Sequence, residues 1–190
     1  MLPQKNSGYL AGQMLIAMPQ MADPRFARTV VYLCAHTAEG AMGLVVNRAI
    51  DGLSFPQLLE QFEIPVSSDC DSIPVHFGGP VESGRGFVLH SDDYQHDNTL
   101  RVAEGVALTA TVDVLRAIAG GTGPRQMLLA LGYAGWGSGQ LDSEIRDNAW
   151  LIAPADLDLL FSGNLERKYE QAIQKLGIDV GLLSGEAGHA

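Results

Sequence analysis

The stretch from Leu128 to Trp150, LLALGYAGWGSGQLDSEIRDNAW, is the segment that most constrains the fold. An apolar run at its start, residues 127–131, has the length of a β-strand. Four of the next eight residues are glycines and predict a turn: Gly132, Gly135, Gly137 and Gly139. Leu141, Ile145 and Ala149 then recur every four residues, as on one face of a helix. A strand, a glycine turn and a helix can present backbone N–H groups to an anion, and they can equally form an ordinary tight connection.

The rest of the chain alternates between short strands and a few helices. Strands are predicted at residues 14–18, 29–35, 42–47, 73–77 and 85–90, and in two pieces between 100 and 109 that Gly105 separates. Helices are predicted from Ser54 to Phe62 and from Thr111 to Gly120, with a short one starting at Pro154 and a last one from Asn164 to Gly177.

The composition favours one soluble domain covering residues 1–190, with residues 1–8 as a flexible N-terminus. A chain of 190 residues that is 46% hydrophobic can bury a sizeable core. No apolar run approaches the roughly 18 residues that would suggest a membrane span, and the first residues lack the apolar core of a secretion signal. Cys34 and Cys70 have neither metal nor redox spacing. We therefore expect a cytoplasmic protein that does not enter a membrane.

The formal net charge of −10 bears on the class of partner. Nucleic-acid binding draws most of its affinity from lysine and arginine side chains that neutralise phosphates. This chain has 12 basic residues against 22 acidic ones, and its arginines are scattered along the sequence. Direct DNA binding is therefore not expected.

Several motifs in this order resemble the AlgH/YqgE family of bacterial proteins. They are LIAMPQMADPRFARTVVYL, GAMGLVVNR, GGPV, RGFVLH, LGYAGWGSGQLDSEIRDNAWL, PAD with LLF, and the terminal GHA, and they span residues 15–190. The resemblance implies an α+β fold in which a curled, bifurcated and mostly antiparallel sheet forms a pseudo-barrel with flanking helices. Family members are functionally uncharacterised or labelled as transcriptional regulators, so the resemblance implies no reaction, no catalytic residue and no cofactor.

The first candidate ligand site is the glycine turn, at Gly135, Trp136, Gly137 and Ser138. It lacks the Gly-Lys-Ser/Thr of a phosphate loop, and Gln140 stands where a dinucleotide fingerprint needs its third glycine. Trp136 occupies the first glycine position of a nucleophile elbow around Ser138. Acidic residues near the start of the following helix would also repel a phosphate. A structural connection with Trp136 packed beneath it is the favoured interpretation.

The second candidate is Gly78-Gly79 with Arg85. Paired glycines after a strand permit close backbone approach, and the planar guanidinium of Arg85 could clamp a carboxylate or phosphate. The alternative is a structural connection in which Arg85 pairs with Glu82 at the surface. The alternative is favoured here as well.

Histidine chemistry is the third candidate. His76 and His90 lie in predicted strands that could be neighbours, and Asp92 or Asp93 could complete a set of metal ligands. Nothing in the spacing requires such a site, so no metal is expected.

Two functions remain open. The first is a non-enzymatic binding or regulatory protein that acts through a partner protein or a small ligand and affects transcription indirectly. The second is a small-molecule-binding protein or enzyme that takes an anionic metabolite between the two glycine-rich turns, with Arg85 and Arg48 on the anion. A pocket joining Gly79, Arg85, Trp136 and Ser138 would favour the second function. The sequence leaves the oligomeric state open.

Overall fold

In the part of the chain that the structure describes, nine strands combine with five helices. The computed structural model describes residues 9–66, 73–161 and 164–177; the predicted flexible residues 1–8, Cys70 and the terminal GHA lie outside this part. The strands are β1 Gln13–Ala17, β2 Val30–Thr37, β3 Gly40–Val45, β4 Val75–Phe77, β5 Val81–Ser91, β6 Thr99–Ala103, β7 Val106–Thr109, β8 Met127–Trp136 and β9 Trp150–Pro154. The helices are α1 Phe55–Gln61, α2 Val112–Ala119, α3 Gln140–Arg146, α4 Leu157–Leu160 and α5 Leu165–Lys175.

All nine strands belong to one curled sheet. Its order is β6-β7-β5-β8-β3-β2-β1-β9, and β4 pairs with β8 outside this path. Every pairing between strands is antiparallel except that of β4 with β8. The sheet curls enough to bring the end of β6 to the start of β1, where a Cβ on Gly12 would lie 2.9 Å from the Cβ of Ala103. The expected α+β fold with a curled, mostly antiparallel sheet and flanking helices is confirmed.

The sheet divides in two along one edge of β8. Residues Leu129 to Leu131 of β8 pair with β4 on this edge, and Ala134 to Trp136 pair with β3. Gly78 joins the two branches, because its N–H donates to Leu131 O at 2.8 Å and its carbonyl accepts from Val45 N at 2.8 Å. The bifurcation therefore follows directly after β4.

The connection from β4 to β5 crosses the face of β8. The crossing is required because β4 and β5 pair with opposite edges of the same β8 residues. A Cβ on Gly78 would lie 2.3 Å from Gly132 O, and one on Gly79 would lie 2.0 Å from the carbonyl carbon of Tyr133. Gly132 adopts a φ of 77°, and a Cβ on Gly132 would in turn lie 2.3 Å from Gly79 O. Only glycine permits this approach, so the paired glycines contact another strand of the same chain.

The prediction of a glycine turn after residue 131 is wrong for residues 132–136. β8 continues to Trp136, which places Gly132 and Gly135 inside the strand. The turn is confined to residues 137–139, and Gly139 precedes α3 with a φ of 72°. Glycine indicated a turn, but at Gly132 the missing side chain serves the strand crossing instead.

A strand also replaces the beginning of the predicted short helix at Pro154. β9 ends at Pro154, and α4 starts after Asp156, whose carboxylate accepts hydrogen bonds from Asp158 N and Leu159 N. Proline is compatible with this position because β9 lies at the edge of the sheet.

Helix α5 is fixed to the sheet by two consecutive polar side chains. Lys168 is fully buried and donates from Nζ to Val46 O at 2.9 Å and Leu160 O at 2.8 Å. Burial lowers the pKa of Lys168 to about 8. The Tyr169 hydroxyl donates to Ala17 O at 2.6 Å. These bonds satisfy carbonyls at the ends of three other elements, and the sequence did not predict the buried lysine.

No helix in the described part of the chain is long and apolar enough to cross a membrane.

The two histidines considered for a metal site lie on opposite edges of β8, so they are not in neighbouring strands. Nδ1 of His76, on β4, forms a hydrogen bond with Leu129 O at 3.0 Å. His90 on β5 contacts Ser91 O through Nδ1 and the Thr109 hydroxyl through Nε2, so both of its ring nitrogens are engaged. Within residues 9–66, 73–161 and 164–177, no group of three or more His, Cys, Asp or Glu side chains is placed to hold a metal ion.

Replacing Gly132 by alanine is expected to destabilise the fold by about 3 kcal/mol, because the new Cβ adds a clash and backbone strain at the crossing. A Cβ there would lie 2.3 Å from Gly79 O. The measurement is urea unfolding followed by circular dichroism. Gly84→Ala is the matched control, since a Cβ on Gly84 meets no atom within 4 Å. Equal midpoints for the two variants would contradict the crossing as the reason for glycine.

His76 is expected to make the free energy of unfolding depend on acid pH. Burial is the main cause that lowers the pKa of His76 to about 4 in the folded protein, whereas the unfolded value is about 6.5. The unfolded state therefore binds more protons between these values. Stability is lost as pH falls from about 6.5 to about 4, by up to about 3 kcal/mol.

The variant His76→Asn should flatten this dependence, because asparagine can still donate to Leu129 O but does not titrate. The measurement is the urea midpoint of unfolding of wild type and variant at pH 7, 5.5 and 4.5. His96→Asn is the control, since His96 is more exposed and pairs with Asp113 at 3.4 Å. An unchanged pH dependence in His76→Asn would refute the assignment.

Candidate functional site

A cleft forms where the strand crossing meets the end of β8. We call it the tryptophan cleft, and it has a volume of about 410 Å³. Three separated parts of the chain line it: the loop before β2, the start of β5, and the segment from the end of β8 to the start of β9. The lining residues are Met21, Asp23, Arg25, Phe26, Pro80, Val81, Gly135, Trp136, Gln140, Glu144, Ala149 and Trp150.

Glu144 organises the inner wall of the cleft. Its Oε1 accepts hydrogen bonds from the indole N–H groups of Trp136 at 3.0 Å and Trp150 at 2.9 Å. Its Oε2 accepts from Gln140 Nε2 at 2.9 Å, and Gln140 Oε1 accepts from Gly137 N at 2.9 Å. The two buried indoles pack edge to face with centroids 5.9 Å apart. One side chain of α3 thus joins the end of β8 to the start of β9.

The loop before β2 forms the outer wall. The Asp23 carboxylate accepts from Arg25 N at 2.9 Å, Nε at 3.1 Å and Nη2 at 2.7 Å. The side-chain bond from Arg25 is the main cause that lowers the pKa of Asp23. The Arg25 guanidinium lies 5.6 Å from the centre of the Phe26 ring, which packs edge to face on Trp150. At the lip of the cleft, the Arg25 guanidinium therefore contacts both a carboxylate and an aromatic ring.

Two residues after β3 hold this loop from behind. Arg48 donates to Arg25 O and Ala27 O, both at 2.8 Å. Asn47 accepts from Val30 N and donates to Arg28 O, both at 2.9 Å. The guanidinium of Arg48 is therefore engaged with two backbone carbonyls. Arg48 lines neither the cleft nor the depression that contains Arg85, so the structure does not bring the two arginines together on one surface.

A second, wider depression adjoins the tryptophan cleft, and we call it the open groove. It has a volume of about 600 Å³ and shares Val81, Gly135 and Trp136 with the cleft. Its other lining residues are Ala35, Thr37, Glu39, Gly40, Ala41, Met42, Arg85, Phe87 and Tyr133.

Arg85 lies over the floor of the open groove. Its guanidinium is 5.1 Å from the centre of the Phe87 ring, and Nη1 is 3.6 Å from Glu82 Oε1. Side-chain exposures of 53% and 50% make this ion pair weak. The Tyr133 hydroxyl donates to the same carboxylate at 3.3 Å. The surface pair of Arg85 and Glu82 matches the structural alternative considered for this residue.

The structure brings together some of the predicted site residues. Arg85, Gly135 and Trp136 line the open groove, whereas Gly78 and Gly79 pack on the backbone of β8. Gly137 donates to Gln140, and Ser138 Oγ donates to Ala38 O at 2.7 Å. Neither Gly137 nor Ser138 lines the cleft or the groove. Trp136 is buried, as expected for a packed connection.

Asp23, Arg25 and Trp150 were missed as site residues, and Glu144 was considered only as a charge that repels phosphate. One signal could have found part of this set. Trp136 and Trp150 each carry an indole N–H that needs an acceptor when buried, and Glu144 lies between them in sequence. The loop containing Asp23 and Arg25 reaches the cleft only through tertiary contacts, so no local pattern pointed to it.

Comparisons with known proteins agree on one family. The family profile described as AlgH-like matches residues 14–181. A UPF0301 protein of Rhodospirillum rubrum is 58% identical over 189 residues, covering 100% of this chain and 98% of that protein. A UPF0301 protein of Bradyrhizobium diazoefficiens is 55% identical over 196 residues, covering 99% of this chain and 92% of that protein.

Solved structures share the fold. The solution structure of the AlgH protein from Pseudomonas aeruginosa has a TM-score of 0.80 at 46% identity and covers 100% of both chains. A crystal structure of a Corynebacterium diphtheriae protein has a TM-score of 0.74 at 21% identity, covers 96% of this chain and 94% of that one, and supports the fold alone. Because the profile and the relatives extend over nearly its whole length, this chain belongs to the AlgH-like family.

Proposed function

We propose that this protein is a non-enzymatic binding protein whose ligand occupies the tryptophan cleft. The observation that supports it is the convergence of three separated segments on a cleft whose polar groups hold one another in place. Glu144 accepts three hydrogen bonds and the Asp23 carboxylate accepts three from Arg25. Side chains fixed before binding lose little conformational entropy when a ligand arrives, which favours recognition.

The chemistry of the lining supports binding over catalysis. Covalent and acid–base catalysis need a nucleophile or a base within reach of the substrate. Among the described residues that line the cleft there is no histidine, cysteine, serine, threonine or lysine. The two carboxylates already bind donors of this chain.

A regulatory role would act through a partner in the cytoplasm. The formal net charge of −10 opposes direct contact with DNA, because phosphate binding needs clustered positive charge. An effect on transcription, as the family label suggests, would therefore be indirect. The reduced cysteine Cys34, buried in β2, suits a cytoplasmic location.

Filling the cleft is the direct test. A Cβ on Gly135 would make ordinary contacts, 3.4 Å to Tyr133 and 3.7 Å to Val81, so Gly135→Val should fold and narrow the cleft. We expect its melting temperature to stay within about 4 °C of the wild type. A thermal-shift screen with guanidines, amines, carboxylates, phosphates and nucleotides should give a hit of about 5–10 °C at 100 times the dissociation constant.

That hit should disappear in Gly135→Val and remain in Gly84→Val, which adds the same side chain to β5 outside the cleft. A hit that survives in Gly135→Val would place the ligand elsewhere and refute the proposed site.

A small anionic ligand at Arg85 is the second candidate. The half-exposed guanidinium has its acidic partner at 3.6 Å, so it can release Glu82 at small cost and accept a carboxylate or phosphate. An enzyme acting on such a metabolite would use the same anchor in the open groove.

Arg85→Ala should abolish binding of an anionic hit and leave the melting temperature of the free protein nearly unchanged. Arg101→Ala is the control, because Arg101 is also exposed and lies 3.9 Å from its acidic partner Asp92. Calorimetric titration of both variants decides the matter. Equal weakening would assign the effect to net charge, and a large loss of stability in Arg85→Ala would point to a structural role.

A further inference from the structure

We propose that the tryptophan cleft binds the guanidinium group of an arginine side chain that belongs to a basic partner segment lying extended in the open groove. This inference rests on the proposed function, in which the cleft is a binding site. It names the chemistry of the ligand, and it assigns Arg25 as an internal competitor for the same position.

The charges of the cleft favour a cation. The charged side chains that line it are Asp23, Glu144 and Arg25, so the cleft has one net negative charge, and two without Arg25. The aromatic rings of Phe26, Trp136 and Trp150 also line its walls. Carboxylate oxygens beside aromatic rings are the surroundings in which guanidinium groups bind in proteins.

Arg25 already shows how the lip of the cleft holds a guanidinium. It binds both oxygens of Asp23 and lies over Phe26. The pair is bidentate, but the Arg25 side chain is 60% exposed, so water can replace Asp23 as its partner when a second guanidinium takes the carboxylate. The loop backbone is held by Arg48 through Arg25 O and Ala27 O, which does not involve the Arg25 side chain. Arg25 can therefore move aside and yield Asp23 and Phe26 to an incoming arginine.

The open groove provides the path for the rest of the partner. It is continuous with the cleft at Val81, Gly135 and Trp136, and Gly135 places no side chain between the two. An open depression leaves one side of a small ligand in solvent, and it can accept an extended chain across partly exposed Met42 and Val81. Glu39 and Arg85 are the charged residues in the lining of the groove. Glu82 beside the groove pairs with Arg85 at 3.6 Å, so these three side chains together carry one net negative charge. The formal charge of −10 steers a basic segment to this surface.

The first experiment compares two pentapeptides by calorimetric titration with the full-length protein. One has a central arginine flanked by alanines, with acetyl and amide ends, and the other has citrulline, the uncharged isostere, in its place. The arginine peptide should bind at least about tenfold more tightly, because citrulline loses the charge-assisted hydrogen bonds and the interaction with the rings. Equal affinities, or no binding of either peptide, would overturn the inference.

Variants of the loop test the role of Arg25. Arg25→Ala should tighten arginine-peptide binding by about three- to tenfold, because it removes the competing guanidinium. Arg28→Ala is the matched control: it removes the same charge from the same loop, but Arg28 lies over Tyr169 and beside Glu170, outside the cleft. Its affinity should stay near the wild-type value. Tightening of equal size in both variants would overturn the internal competition.

Asp23→Asn completes the set, because asparagine keeps an acceptor for Arg25 N and loses the charge. This variant should bind the arginine peptide about tenfold more weakly; unchanged affinity would overturn the site.

N-acetylarginine amide tests whether the guanidinium belongs to a small molecule or to an extended chain. Weaker binding than the pentapeptide supports an extended partner, and equal binding overturns the contribution of the groove. If the screen gives a ligand that Gly135→Val abolishes and Arg85→Ala leaves unaffected, while no arginine probe binds, this inference fails and the proposed function stands.

Discussion

The contact between the backbone of residues 78–79 and the backbone of β8 is the constraint on which the rest of the structure depends. A chain that leaves one edge of a strand and returns on the other has to pass over its face, and side chains normally keep such segments apart. Here the two backbones approach so closely that a Cβ on Gly78, Gly79 or Gly132 would lie 2.0–2.3 Å from a backbone atom of the other segment. Glycine on both sides makes the crossing possible, and the crossing places Pro80 and Val81 beside Gly135 and Trp136.

Polar groups around the cleft are satisfied in a way that links distant elements. Glu144 on α3 binds the indoles at the end of β8 and the start of β9. Arg48, just after β3, binds the loop before β2. A buried donor or acceptor without a partner costs about 1–3 kcal/mol, so the bonds from the two buried indoles to Glu144 both stabilise the fold and fix the cleft wall. Stability and preorganisation of the candidate site therefore have the same cause.

Membership of the AlgH-like family fixes the fold and leaves the activity open, because a fold does not determine function. The chemistry of the two depressions narrows the choice. The tryptophan cleft is negatively charged and aromatic, whereas Arg85 in the open groove is half exposed and paired with Glu82. A cationic ligand in the cleft requires a negatively charged surface, whereas an anionic ligand at Arg85 requires a positively charged one. The formal charge of −10 of the whole chain agrees with the cationic ligand.

The sequence by itself located most of the elements, and its resemblance to a known family implied the class of fold. Periodicity and capping residues located the helices that start after Ser54 and Asn164. An apolar run located β1, a run rich in β-branched and aromatic residues located β2, and Gly105 separated β6 from β7. These patterns are local, and local patterns report which face of an element is buried. Gly135 and Trp136, which the sequence proposed for one ligand site, both line the open groove.

Only the tertiary structure decided what the glycines and charged side chains do. Gly132 had the signature of a turn, yet its φ of 77° lies inside a strand that another segment crosses. Lys168 had the signature of a solvated residue, yet it is buried with two carbonyls as acceptors. Asp23 and Glu144 are 121 residues apart in sequence and line one cleft. Close backbone approach, burial of a charge and convergence of distant segments depend on contacts between elements, and no pattern within a single element encodes them.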